Sequence, residues 1–253
     1  MFYFRLSVLL LPVLIFFSSE VITVFPKTFF IVLAASSLLI IYWSFWLFRK
    51  REKSKLGHWW EYAILPVIFN ISSIFYFAME PTVIIGQLVL LVNAYFLFNY
   101  LKNIYYLAAN EKREEQLKNI SFFGGVLTVF FASSVVYGAK VFLGLPMLPM
   151  FACLSLTLLA VWYQIFVFVP FSIKKNSIFF LIALLVLCQL GAVLFFLPFS
   201  YQLLGIILTI IFYFIAGIGR LHLNGEIPIR RLRYYLIFSI LAVVFLILTA
   251  RWL

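Results

Sequence analysis

The chain has 253 residues, of which 66% are hydrophobic and 11% charged, with a net charge of +11. Soluble domains are about 45–50% apolar and about 25% charged, so a charged, water-facing surface is excluded and lipid must solvate most of the polypeptide. The cations sit in short loops beside apolar stretches, where they set orientation and meet anionic lipid rather than nucleic acid. The eight acids are all Glu, which excludes the Asp-rich metal motifs of prenyltransferases and phosphatidyl-alcohol transferases.

A membrane-crossing helix needs roughly 20 apolar residues, and nine such stretches fit. The fold expected is therefore an all-α polytopic membrane bundle, a single transmembrane domain over 1–253 with no soluble domain. The first span, 2–19, follows Arg5 and lacks a small-x-small cleavage site before Glu20. It reads as a retained helix, and the count falls to eight if it is a cleaved signal. The second, 28–48, carries the small patch Ala34-Ala35-Ser36-Ser37, which lets helix backbones approach closely.

The segment Arg49–Glu61, RKREKSKLGHWWE, is the most densely charged in the chain. The third span, 62–79, contains Pro66, with Asn70 and Ser73 on the same helical face. After the Glu80-Pro81 turn comes the fourth span, 82–101, which continues toward EKREEQLKN as a solvated extension. The fifth, 120–139, opens with Gly124-Gly125 and carries Ser134 and Gly138. The sixth, 150–171, shows Cys153, Thr157, Ala160 and Gln164 at i, i+4, i+7 and i+11, a stripe expected to face protein. The seventh, 177–197, groups Cys188, Gln189 and Gly191; the eighth, 201–219, has Gly205 and Thr209 one turn apart; the ninth, 234–250, is nearly featureless and is expected on the outside of the bundle. Cys153 and Cys188 lie in separate apolar spans, which gives no disulfide or metal framework.

Placing the Arg49–Glu61 loop in the cytoplasm puts all cations except Lys27, Lys140 and Arg251 on that side. By the positive-inside rule the N-terminus is inside and the C-terminus outside. The opposite turns are short and marked by Pro26, Pro81, Pro146 and Pro198, so the first eight spans read as four helical hairpins.

Two constellations are able to carry chemistry. The first is a mid-depth polar layer: Asn70, Asn93, Trp162, Gln164, Gln189 and Thr209. An amide unpartnered in hydrocarbon costs several kcal/mol, so these groups should turn inward, either to bond one another or to line a cavity for a neutral or zwitterionic substrate. Amides do not titrate, and no span centre carries an ionisable residue, which argues against a proton-coupled pump. The second is at the cytoplasmic surface, where His58 and Glu61 share a helix start and His222 and Glu226 lie four apart. These types suit a divalent metal or acid–base work on a lipid headgroup, although such residues are more often interface residues, with His58 beside Trp59 and Trp60 holding the loop at headgroup depth. Arg230, Arg231 and Arg233 beside Tyr234-Tyr235 are candidates for anionic headgroups.

Gly-x-Ser-x-Gly, His-Glu-x-x-His, Walker-type and Cys-x-x-Cys patterns are all missing from the sequence, so no catalytic residue, metal or cofactor is assigned. The functional expectations are a transporter or flippase-like protein for a lipid or small neutral solute, a structural or accessory subunit of a membrane complex, or a lipid-modifying enzyme. Partners expected are the bilayer itself, anionic lipid at the cytoplasmic face, and a membrane-protein partner or second copy. The Phe-, Ile- and Lys-leaning usage suggests a bacterial cytoplasmic membrane.

Overall fold

In a computed structural model, residues 2–49, 59–108, 114–167 and 173–223 are described, with scattered positions between 233 and 248. Eight helices follow in chain order: α1 (Phe2–Val24), α2 (Phe29–Arg49), α3 (Trp59–Met79), α4 (Val83–Ala108), α5 (Glu114–Leu143), α6 (Met147–Val167), α7 (Ile173–Leu194) and α8 (Tyr201–Leu223), with a 3₁₀ turn at Pro26–Thr28 between α1 and α2. No strand occurs among the described residues. By length and apolarity α2, α3, α4, α5, α6 and α8 supply six segments able to cross a membrane, while α1 and α7 contribute shorter apolar stretches, Val8–Val24 and Ile178–Leu194. The expectation of an all-α membrane protein is borne out.

The helices overlap the first eight predicted spans, and the differences lie at their ends. α1 runs past Ser19 to Val24. The hydroxyls of Ser18 and Ser19 donate back to the Ile15 carbonyl at 2.9 and 2.8 Å, so neither competes with the helix for its own backbone. Pro26, without a backbone N–H, ends the run. The described part of α5 begins at Glu114, six residues before the predicted span. It ends where Gly144 takes φ +60°, the left-handed residue that closes a helix, and Pro146 follows. About half of the ninth predicted span, 234–250, lies within the described residues. Those that are described there are helical, and Leu236, Ile240, Leu241 and Leu248 are exposed.

The chain divides into two compact units, Met1–Gly125 and Val126–Leu253. In the first, α1 packs on α2 and α4, and α3 packs on α2 and α4. Two hairpins thus close a four-helix ring. Ile15, Leu65, Phe69, Leu90, Leu97, Tyr100 and Leu101 are almost completely buried inside it. In the second unit α6 packs on α7 and α7 on α8. The part of α5 in this unit meets α8 where Ser133 and Ser134 face Gly205, and meets α7 through Tyr137 and Gly191.

One packing expectation is corrected. The stripe of α6 that faces protein is Leu154, Leu158, Val161, Trp162, Ile165 and Phe166. Of the small-to-polar stripe, only Gln164 is buried, while Cys153 is exposed. Thr157 has no need of an interhelical partner, because its hydroxyl donates to the Cys153 carbonyl at 2.9 Å within its own helix. Large apolar side chains then take the interior.

Candidate functional site

The polar layer resolves into a short hydrogen-bonded chain in the first unit. On α3, Pro66, Asn70 and Ser73 recur at helical spacing and are all buried. The Asn70 amide donates through Nδ2 to Ser36 Oγ of α2 at 2.8 Å. Its Oδ1 accepts from Nδ2 of Asn93 on α4 at 3.1 Å. The Ser36 hydroxyl donates to the Leu33 carbonyl at 3.1 Å, and Ser73 Oγ donates to the Asn70 carbonyl at 3.0 Å. Three helices are thereby stitched at one level. Ser36 was visible in the sequence only as a small residue; its role as the acceptor for Asn70 requires the α2–α3 register. The carbonyl oxygen of Asn93 is buried without a hydrogen-bond partner.

This layer is closed from both directions. Toward the α1–α2 and α3–α4 turns, Ile22, Val32 and Ile74 form an apolar cluster with Phe29, Leu33 and Phe77 against it. Val32 and Ile74 lie one helical turn from Ser36 and Asn70. Toward the other end, Phe69 and Phe96 stack with centroids 4.1 Å apart, Phe96 meets Tyr100 at 5.5 Å, and the Tyr100 hydroxyl donates to the Tyr62 carbonyl at 3.1 Å. Gly124 of α5 packs directly against the Phe96 ring. The amides are therefore bonded to one another and capped above and below by apolar groups.

The remaining candidates lie in the second unit. Trp162 is fully buried in an aromatic cage of Phe166, Phe180 and Phe212, at centroid distances of 4.8, 5.9 and 6.0 Å. Its indole N–H is buried with no acceptor. Gln164 is also fully buried. Gln189 is exposed. Thr209 donates to the Gly205 carbonyl of its own helix at 2.7 Å. Ser133 reaches the same carbonyl from α5 at 3.5 Å. The structure joins Asn70 with Asn93; within the second unit it separates Gln189, on the surface, from the buried Trp162 and Gln164.

Of the second constellation, Glu61 sits half-buried in the first turn of α3, where its charge suits the helix N-terminus. His58, Glu226 and the side chain of His222 lie outside the described residues, as do Arg230 and Arg231; Arg233 is exposed.

Three features escaped sequence reasoning. Tyr137 Oη donates to the Gly191 carbonyl at 3.0 Å, fixing α5 to α7. Lys140 donates to the Phe195 carbonyl at 2.6 Å, with its ammonium 5.6 Å from the Phe195 ring centroid and 5.9 Å from that of Phe196. A cation at a helix end and aromatics after the next-but-one helix were the available signals. The third is a cavity of about 420 Å³ between the α1–α2 and α3–α4 turns, with Glu80 on its wall. The sequence marked this place only by Pro26 and the Glu80-Pro81 turn. No protein-family model, curated protein or solved structure matches the chain.

Proposed function

We propose that this protein is a structural or accessory subunit that assembles with another membrane protein, or with a second copy of itself, in the bilayer. The observation that carries this reading is the Asn93–Asn70–Ser36 chain, in which mid-depth polar groups serve as helix-to-helix stitching. The outward stripe on α6 supports it. Cys153 is exposed, Thr157 and Ala160 follow on the same face, and Leu156 and Leu159 flank them. Small residues at this spacing allow another helix to approach closely in lipid.

In this reading the basic loops face the cytoplasm and bind anionic lipid, Arg233 among them. Nine spans put the C-terminus on the opposite side, and the membrane is a bacterial cytoplasmic one. A reporter fused after Leu253 should behave as non-cytoplasmic; cytoplasmic behaviour overturns the orientation.

Cys153 provides the test of assembly. Oxidation in native membranes should give a disulfide dimer if the partner is a second copy. A photo-cross-linker at Ala160 should give a discrete adduct if the partner is another protein. Neither product at native expression removes the support for an accessory role. A second reading, a transporter or flippase-like protein, is favoured by the cavity at the turns. It requires that the apolar cluster of Ile22, Val32 and Ile74 part, and that the purified protein carry a lipid or neutral solute across liposomes.

A further inference from the structure

One carbonyl inside α3 has lost its helical donor. In an α-helix the Tyr62 carbonyl would accept from the backbone N–H of residue 66, and Pro66 has none. A proline ring also crowds the carbonyl four residues before it. Tyr62 and Pro66 are both buried, and a buried carbonyl needs a partner. The Tyr100 hydroxyl of α4 takes the place of the missing amide, 3.1 Å from the Tyr62 oxygen. Neighbouring helices restore proline-freed backbone groups in this way inside membranes.

The repair differs from the bond it replaces. A ladder bond joins two residues of one helix, whereas this one joins α3 to α4. Pro66 thereby divides α3 into two segments with separate tethers. Beyond the proline, Asn70 is bonded to Ser36 of α2 and to Asn93 of α4. Before it, the segment 59–65 is tied to α4 by the Tyr100 hydroxyl and meets α2 where the Trp59 ring stands edge-on to Phe45, at 5.5 Å. The Tyr100 ring is itself seated on Phe96, and Phe96 on Phe69. The hydroxyl is thus aimed at the Tyr62 carbonyl by an aromatic stack that does not depend on it.

We propose that Pro66 is a hinge in α3 and that Tyr100 is its latch. With the hydroxyl on the Tyr62 carbonyl, the segment 59–65 runs on unbroken into the rest of the helix. With that bond open, the segment bends at Pro66 and its first turn leaves α4, while the half held by Asn70 stays in place. A single side-chain hydrogen bond in a membrane shifts such an equilibrium roughly three- to tenfold, so the open state is a minor but reachable population. The device stands independently of the α6 surface and of the accessory role.

Two nitroxide labels on the full-length protein in lipid nanodiscs read the bend. One is placed at Trp60→Cys in the first turn of α3 and one at Ile84→Cys at the start of α4, both exposed positions, with Cys153 and Cys188 replaced by Ala. Pulsed electron–electron double resonance measures the distance between them. The parent should give one dominant, narrow distance. Tyr100→Phe keeps the ring in its stack and removes the donor, so a second, displaced distance should grow at least about threefold over the parent. Pro66→Ala restores the amide and its ladder bond, so the distance should stay narrow whether residue 100 is Tyr or Phe. If Tyr100→Phe does not fold alone, adding Pro66→Ala should restore its folding. A distribution indifferent to Tyr100→Phe, a displaced distance that persists when Pro66→Ala is added, or a misfolded Tyr100→Phe that Pro66→Ala fails to rescue each overturns the proposal.

Discussion

The two units solve one problem with different chemistry. Helices in lipid gain nothing from hiding apolar surface from one another, so close packing and interhelical hydrogen bonds must hold them. The first unit has side chain to side chain bonds, with Asn93, Asn70 and Ser36 bridging α4, α3 and α2, beside one side chain to backbone bond from Tyr100 to the Tyr62 carbonyl. The second unit uses side chain to backbone bonds at glycines, with Tyr137 on the Gly191 carbonyl and Ser133 on that of Gly205, and adds an aromatic cage around Trp162. Where a glycine bares the backbone, as at Gly191 and Gly205, a carbonyl serves as acceptor; the two amides of the first unit meet in register.

That difference decides how each unit breaks. The largest effect should come from Trp162→Ala, which empties the cage in the second unit and should cost about 3–5 kcal/mol. Trp162→Phe should cost well under half of that, because the indole N–H it removes makes no hydrogen bond. Equilibrium unfolding in mixed micelles, followed by far-ultraviolet circular dichroism, measures both.

Gly205→Leu comes next. A Cβ at Gly205 runs into Ser134, whose own Cβ and backbone nitrogen stand only 3.1 and 3.2 Å away. The backbone cannot yield as a side chain can, so α5 and α8 must separate, at a cost of about 1–3 kcal/mol. The same titration reads it.

In the first unit, Asn70→Leu should cost about 1–2 kcal/mol, since it strands the Asn93 amide N–H and breaks the Asn70–Ser36 bond between α3 and α2. The double variant Asn70→Leu with Asn93→Leu should cost no more than the single one, because it removes stranded groups together with their partners. A strictly additive double-mutant cycle would show that the two amides do not act as a pair. Smallest of all, Thr157→Val on the outward face of α6 should change stability by less than about 0.5 kcal/mol, since its hydroxyl is bonded only within its own turn.

The same contrast explains what could be read from the sequence. Eight helices and their approximate bounds follow from apolar length and from the Pro-marked turns. Asn70 and Asn93 were legible as inward groups, because an amide deep in hydrocarbon has nowhere else to go. Gln189 defeats that rule by standing exposed beside Cys188. The α6 stripe failed for a related reason. Small and hydroxyl residues look like packing surface in a sequence, yet Thr157 satisfies itself locally, and the bulk of Leu158 and Trp162 decides which side turns inward. The Gly205 and Gly191 contacts were half-legible: each glycine is conspicuous, but its partner on α5 is 54 to 72 residues away in sequence, and only the fold supplies the register. The Glu80 cavity was hidden altogether, since it is made where two turns meet.

Central to this account is that Asn93, Asn70 and Ser36 in the middle of the first unit bind one another. The most direct measurement places a single thiol there, Asn93→Cys with Cys153 and Cys188 replaced by Ala, and exposes sealed membranes from either side to a charged, impermeant thiol reagent. The thiol should stay unmodified from both sides and react only after denaturation. Modification from either face in the folded protein would mean that water reaches the amide layer, and would contradict the account.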